Sequence, residues 1–129
     1  MEHENVERTR AAYAAFARGD MAVVTDLMSD DVVWHVTGNG PLAGDYKGQD
    51  EILGYFGKLF EATGGSLAID VDDILANDRH ATAIVHMSAM REGMILDENA
   101  VHVFELEDGK VKAFWSFDSD PEQLERFWQ

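Results

Sequence analysis

The feature that most restricts the fold is a pair of apolar runs on either side of Asp108-Gly109, within residues 100–118 (AVHVFELEDGKVKAFWSFD). An Asp-Gly pair between two such runs is one of the strongest short-range signals for a β-hairpin. Two further runs with strand character, residues 67–76 and 81–90, are bounded by short polar turns. The second half of the chain therefore predicts four consecutive antiparallel strands.

The first half carries the helical signals, with apolar residues at helical spacing near residues 6–17, 21–28 and 50–62. A strand with the sequence DDVVWHV lies between the second and third of these, and the glycine-rich segment after it predicts a loop. Asp120 and Pro121 begin a short C-terminal helix. Helices that precede a run of antiparallel strands indicate an α+β fold, which we expect to form one domain over residues 1–129.

Composition excludes several classes of partner. The formal net charge of −15 and the absence of any basic patch argue against binding to nucleic acid or to a membrane surface. The chain has no cysteine, which fits a reducing compartment, and it shows neither an apolar leader segment nor an apolar run of membrane-spanning length. We therefore expect a cytoplasmic protein.

Two of the predicted strands are apolar on both sides. Ile84 is followed by Val85 in one strand, and Val103 by Phe104 in the next. Strands of this kind are usually covered on both faces of the sheet. Helices can cover one face, and we expect a second copy of the chain to cover the other, in a homodimer packed through the outer sheet face.

Three segments together resemble the nuclear transport factor 2-like superfamily, and more narrowly its SnoaL-like and ketosteroid-isomerase-like branch. They are YAAFARGDMAVVTDLMSDDVVWHV, YKGQDEI and HVFELEDGKVKAFWSFD, and the resemblance extends from Tyr13 to Phe117. It implies a cone formed by a strongly bent antiparallel sheet, wrapped by the N-terminal helices around an apolar pocket. It also implies a homodimer. Members include cofactor-free isomerases, polyketide cyclases, dehydratases and epoxide hydrolases, and binding domains without chemistry.

Compared position by position, the chain lacks two of the three groups that steroid isomerases use. Their carboxylate base corresponds to Val36, and their helix-one tyrosine to Ala12, next to Tyr13. Their second oxyanion-binding acid corresponds to His102. The epoxide-hydrolase pattern has an aspartate after the last-strand tryptophan. It is also absent, because Ser116 and Phe117 follow Trp115.

The polyketide-cyclase pattern matches in part. Its first-strand histidine corresponds to His35 and its polar position before the hairpin to His102. The acidic position beside the last-strand tryptophan is Ser116, and the nearest carboxylate, Asp118, lies two residues on and on the same face of the strand.

His102 is the principal candidate for acid–base catalysis, because a buried imidazole of lowered pKa is neutral near pH 7 and can accept a proton. The alternative is a core histidine satisfied by hydrogen bonds. His35 or Asp118 would orient His102 or the substrate, and Tyr55 or Ser116 would donate a hydrogen bond to a developing oxyanion. The remaining candidates are expected to contact the ligand: Tyr13, Phe16, Trp34, Phe56, His86, Met90, Phe104, Phe114 and Trp115.

No metal or cofactor is expected. His35, His86 and His102 have neither zinc-site spacing nor a carboxylate second shell. The Trp34 and His35 side chains must point to opposite faces of their strand, so only one of them can face the pocket. The sequence thus predicts a protein that binds a small apolar molecule in a pocket. It favours a cofactor-free isomerase, polyketide-cyclase-like or lyase activity. The alternative is a non-catalytic domain of the same fold that binds a hydrophobic ligand or a protein.

Overall fold

The computed structural model describes residues 3–129, so Met1 and Glu2 of the predicted domain lie outside the described residues. The structure confirms the α+β class, with helices at the N-terminal side and a short C-terminal helix. The helices are α1 (Glu4–Ala17), α2 (Met21–Asp26), α3 (Gly48–Thr63) and α4 (Pro121–Trp128). The strands are β1 (Met28–Val36), β2 (Gly44–Lys47), β3 (Ala68–Ala76), β4 (His80–Arg91), β5 (Met94–Glu107) and β6 (Lys110–Asp118). Within residues 3–129, no helix combines the length and the apolar composition that a membrane crossing requires.

The six strands form one open sheet in the order β2-β1-β6-β5-β4-β3. The four strands from β3 to β6 are antiparallel to their neighbours, as expected, but β1 lies parallel to β6. The expectation of a wholly antiparallel sheet was therefore wrong, and the sheet is mixed. Most of the chain separates β1 from β6, so no hairpin turn dictates their relative direction.

A second correction concerns the glycine-rich segment, which was expected to be entirely loop. Its last part forms β2, which pairs with β1 and places Tyr46 opposite Trp34. β2 is short and lies at the edge of the sheet, with β1 as its neighbour. Its sequence alone therefore gives only a weak strand signal.

The predicted hairpin turn has the backbone that its sequence requires. Asp108 and Gly109 have φ values of 51° and 79°, the left-handed pair of a type I′ turn. This turn sets the register of β5 and β6, which places His102 opposite Ser116 and Ala100 opposite Asp118. Positions two residues apart on a strand share a face, so Ser116 and Asp118 face the same side as His102.

The two faces of the sheet differ in what covers them. On the inner face, which the helices cover, β5 contributes alternate buried residues, and those on the other parity are exposed or half-buried. The buried set is Leu96, Glu98, Ala100, His102, Phe104 and Leu106. On the outer face several large apolar side chains remain exposed, namely Leu75, Ile84, Met90, Ile95 and Phe117.

The C-terminal helix α4 closes one end of the inner face. Asp120 caps its first turn by accepting a hydrogen bond from the Gln123 N–H, and Phe127 is buried against Ala89 and Leu96. The Arg91 guanidinium of β4 donates hydrogen bonds to the carbonyl oxygens of Phe127 and Gln129, both at 2.9 Å. These bonds satisfy carbonyls that a helix end leaves unpaired, and they hold α4 against the sheet.

Candidate functional site

A cavity of about 120 Å³ lies between the inner face and the helices. An apolar cavity of roughly 150 Å³ is known to hold benzene, so this one has room for about one small ring. Most of the residues expected to contact a ligand line it, as do two of the three expected catalytic residues. They are Tyr13, Phe16, Trp34, Tyr55, Phe56, Phe104, Phe114 and Ser116, together with His102 and Asp118.

The centre of the cavity wall is a hydrogen-bonded pair formed by His102 of β5 and Tyr13 of α1. The Tyr13 hydroxyl oxygen lies 2.6 Å from His102 Nδ1, and the planes of the two rings are almost parallel. His102 is 6% exposed, and its burial lowers its pKa to about 4, so the ring is neutral at pH 7. Burial also raises the pKa of the Tyr13 hydroxyl well above its ordinary value, so that group remains protonated.

The second nitrogen of His102 is available for a ligand. Among the described residues, no hydrogen bond of His102 is found other than the one from Nδ1 to Tyr13. The ring lies on the cavity wall, and its neighbours across the sheet are Ala83 on β4 and Ser116 on β6. Ser116 also lines the cavity, so its hydroxyl adds a polar group to the wall beside the imidazole.

Asp118 is the carboxylate of the cavity wall. It follows Ser116 by two residues on β6, and Ala100 is its neighbour on β5. Burial raises the pKa of the Tyr55 hydroxyl, and the neighbouring Tyr46 and the charge of Asp118 raise it further. The wall therefore carries a neutral histidine, hydroxyl groups and one carboxylate in an otherwise apolar surface.

Sequence reasoning missed Glu98, a buried carboxyl group beside Asp118. It is 4% exposed, and neither carboxylate oxygen has a hydrogen-bond partner among the residues the structure describes. Burial, followed by the nearby carboxyl group and the charge of Asp118, raises the pKa of Glu98 to about 8. The signal was present in the sequence, because Glu98 has the same strand parity as His102. It stands in the polar run DEN, which is more typical of a surface.

His35 and Trp115 do not line the cavity, contrary to expectation. Both lie on the outer face, where their rings stack with centroids 5.0 Å apart and His35 Nδ1 lies 2.7 Å from an Asp45 carboxylate oxygen. Trp34 occupies the inner position on β1 and packs flat against Phe114. Adjacent residues of a strand face opposite sides, so His35 cannot orient His102.

His86 and Met90 also lie on the outer face and away from the cavity. His86 Nε2 is 2.6 Å from an Asp97 carboxylate oxygen, and its Nδ1 is 2.9 Å from the Asn99 side-chain oxygen. The bond to Asn99 raises the pKa of His86, and Asp97 adds to the effect. Met90 is 59% exposed. His35 and His86 lie across the sheet from His102, so the three histidines do not converge on a metal.

A second cavity, of about 200 Å³, adjoins the first where the glycine-rich loop meets α4. Val36, Asp118 and Leu124 line both cavities. Asp118 therefore stands at the junction between the apolar interior and the loop, where a ligand entering past residues 37–43 would meet it.

The family model described as "SnoaL-like domain" matches residues 9–114. An uncharacterized protein of Mycobacterium tuberculosis is 31% identical over 125 residues, which cover 96% of this chain and 95% of that protein.

Solved structures reproduce the fold closely. Bal32a, from a soil-derived mobile gene cassette, is 33% identical and superposes with a TM-score of 0.93 over 97% of this chain and 96% of its own. A protein from Jannaschia assigned as a SnoaL-like polyketide cyclase is 18% identical, with a TM-score of 0.78 over 92% of this chain and 87% of its own. At that identity the likeness shows the fold alone.

Proposed function

The chain belongs to the SnoaL-like family of the nuclear transport factor 2-like superfamily, and from that premise we propose that its cavity performs cofactor-independent proton transfer on a compact carbonyl compound. The observation that supports this most directly is the Tyr13–His102 pair on the wall of an apolar cavity that also contains a carboxylate. Such a wall offers a hydrogen-bond donor for an oxygen and a base for a nearby C–H bond.

In the proposed mechanism His102 binds the substrate oxygen. The Tyr13 hydroxyl donates a hydrogen bond to Nδ1, so the single proton of the neutral imidazole lies on Nε2, towards the cavity. The neutral Nε2–H then donates a hydrogen bond to the substrate carbonyl and to the enolate oxygen formed from it. A neutral imidazole of lowered pKa serves as such a donor in triosephosphate isomerase. His102 remains central, but as a partner of the substrate oxygen rather than as the base.

Asp118 is the proposed base. Its carboxylate takes a proton from the carbon next to the carbonyl, and the C–H electrons form the carbon–carbon double bond of the enolate. The same proton then returns to another carbon, which completes an isomerisation, or assists the departure of a β-hydroxyl group, which completes a dehydration. Proton transfer by a positioned group contributes about 10² to 10⁴ in rate.

The cavity also restricts the substrate. Its volume of about 120 Å³ fits a single small ring better than a fused polycyclic compound. Its wall presents the carboxylate of Asp118, and the whole chain carries a net charge of −15, so we expect a neutral substrate rather than an anion.

Cyclohex-3-en-1-one is a suitable test compound, because proton removal beside its carbonyl gives a dienolate that reprotonates to the conjugated ketone. We expect the protein to accelerate this isomerisation, followed by ultraviolet absorbance, and to exchange the same protons in D₂O, followed by NMR. His102→Leu should lower the rate about 100-fold or more, since it removes the donor to the oxygen. His86→Gln, a histidine change on the outer face, is the matched control and should leave the rate unchanged.

The alternative function makes a different prediction in the same experiment. If the ketone quenches the fluorescence of Trp34 and Trp128, which line the cavity, and yet reacts no faster than in buffer, catalysis is contradicted. A non-catalytic ligand-binding domain would then be the better description.

We also propose that a second copy of this chain covers the outer face. A cross-strand row of Ile84, Val101 and Phe117 runs across three strands of this face, and Ile84 and Phe117 are 39% and 51% exposed. Exposed apolar rows of this kind typically mark an interaction surface. A twofold pairing of two such sheets would bury the same row on both copies.

A further inference from the structure

Within residues 3–129, Glu98 is a buried carboxyl group that the proposed mechanism does not use. It lies on the inner face of β5, where its neighbour on the β4 side is Met87 and its neighbours on the β6 side are Asp118 and the α4 cap Asp120. No hydrogen bond to either of its oxygens is found within residues 3–129. An ionised carboxylate without a donor in a buried position is very unfavourable, so this group must hold a proton and direct it to an acceptor.

The available acceptor is Asp118. Ala100 lies opposite Asp118, so Glu98, two residues earlier on the same face of β5, is a diagonal neighbour of Asp118. The charge of Asp118 raises the pKa of Glu98, and two neighbouring carboxyl groups can share a hydrogen bond only when one of them is protonated. Asp118 lines both cavities, whereas Glu98 lines neither. We therefore assign the proton to Glu98, behind the cavity wall, and the negative charge to Asp118, which faces the ligand. Asp120 has two opposite effects on the pKa of Glu98: its backbone lowers this pKa and its side-chain charge raises it.

We propose that Glu98 is a positioning residue, which donates a hydrogen bond from behind the cavity wall to Asp118 and so holds that carboxylate in place as the base. This inference rests on the proposed function for the role of Asp118, although the carboxyl pair itself does not depend on it. Before reaction the pair holds one proton, on Glu98. After Asp118 takes the substrate proton, both carboxyl groups are neutral, and no net charge remains beside the enolate.

The pair also sets an upper pH limit for activity. When Glu98 loses its proton, two negative charges lie side by side and the hydrogen bond that orients Asp118 is lost. Activity should therefore fall above about pH 8, where the pair loses its last proton. A residue with a purely structural role would not move this limit.

The test has one readout that needs no substrate. Carboxyl ¹³C NMR of the whole protein, recorded against pH, should show one side chain with a midpoint near 8, and that signal should be absent in Glu98→Gln. In Asp118→Asn the midpoint of Glu98 should fall, because the neighbouring charge and the carboxylate acceptor are gone. A Glu98 that titrates in the ordinary range for carboxyl groups, or one whose midpoint is the same in Asp118→Asn, overturns the inference.

The second readout is the pH profile of cyclohexenone isomerisation. Glu98→Gln keeps an N–H donor to Asp118 and should retain activity within about threefold at pH 7, while the fall above pH 8 disappears. Glu98→Met has a similar length but no donor and should lose about tenfold or more at pH 7. Glu105→Gln, on the outer face of the same strand, is the control and should keep the wild-type profile.

The two proposals can fail separately. If the NMR coupling between Glu98 and Asp118 is present but the ketone never reacts, the proposed function fails and the carboxyl pair stands. If the ketone reacts and Glu98→Met keeps the wild-type rate and alkaline limit, the positioning role is wrong while the proposed function stands.

Discussion

Histidine and acidic side chains differ in pKa and in burial between the two faces of the sheet. On the inner face, burial lowers the pKa of His102 to about 4. On the outer face, Asn99 and Asp97 raise the pKa of His86. Glu98 and Asp97 are neighbours in sequence, yet Glu98 is buried without a donor and Asp97 is exposed and paired with His86. The chemistry of these side chains is therefore decided by strand parity, through burial, more than by the amino acid itself.

The largest expected effect is on folding, and it compares two single aspartate substitutions at adjacent positions of β5, one on each face of the sheet. Phe104 is buried against Tyr13, Trp34 and Phe114, and truncating a buried phenylalanine alone costs about 3–5 kcal/mol. An unpaired buried charge adds to that cost, so Phe104→Asp should be largely unfolded by circular dichroism. Val103→Asp, one residue away on the outer face, should stay folded. Equal loss of structure in both variants would contradict the assignment of the faces.

The next effect concerns association through the outer face. Phe117→Asp places a charge in the exposed apolar row and should convert the proposed dimer to a monomer, as measured by light scattering after gel filtration. Its unfolding midpoint at equal low concentration should change little. Lys58→Asp, on the exposed surface of α3, is the charge-changing control. A wild-type chain that is already monomeric at high concentration would disprove the proposed dimer.

A third effect is the dependence of stability on pH, in which His102 and Glu98 act in opposite directions. The pKa of His102 is lowered from 6.5 to about 4, so its contribution is present above pH 6.5 and is lost as the pH falls towards 4. The pKa of Glu98 is raised from 4.5 to about 8, so its contribution is present below pH 4.5 and is lost as the pH rises towards 8.

Between pH 4.5 and 6.5 the effects of His102 and Glu98 on the free energy of unfolding change with pH in opposite directions. Above pH 6.5 only the effect of Glu98 still changes with pH. The free energy of unfolding, measured by urea titration, should therefore fall between pH 6.5 and 8 by at most about 1.4 kcal/mol per pH unit. Glu98→Gln should remove this fall, and Glu105→Gln, which changes the net charge equally, should not. A flat profile in the wild type would contradict the raised pKa of Glu98.

The smallest effect is expected at the hydrogen bond between Tyr13 and His102. Tyr13→Phe keeps the ring and removes the hydroxyl, so it should lower stability by only about 1 kcal/mol. Its informative readout is ¹⁵N NMR of His102, where the wild type should show the proton on Nε2. Loss of that preference in the variant, with a fall of about tenfold in cyclohexenone isomerisation, is the expected outcome. An Nδ1-protonated ring in the wild type would exclude the proposed direction of the bond.

The parts of the fold that follow from local chemistry could be predicted from the sequence. The Asp108-Gly109 turn and the alternation of β5 placed His102 and Phe104 on one face, and the structure agrees. Alternation also required Trp34 and His35 to face opposite sides. It left open which of them faces inward, because that depends on what packs against each face.

Contacts between distant segments could not be predicted in the same way. The parallel pairing of β1 with β6 brings together segments that no turn connects. The Asp108-Gly109 turn sets the register of β5 and β6, but the burial of Glu98 beside Asp118 also depends on the position of α4, which no local pattern encodes. The resemblance to a known family supplied the overall fold, but it carried no information on Glu98.

The position of β6 in the sheet has a consequence for how the protein folds. The last strand of the chain lies between β1 and β5, so until it docks the sheet exists as two separate pieces, β2-β1 and β5-β4-β3, each with an unpaired edge. Pairings between segments far apart in sequence form slowly, because closing a long loop precedes the contacts that stabilise it. The Asp108-Gly109 turn pairs β6 with β5 locally and brings Asp118 near Glu98, whereas the distant pairing of β6 with β1 joins the two pieces and adds Trp34 to the cavity wall.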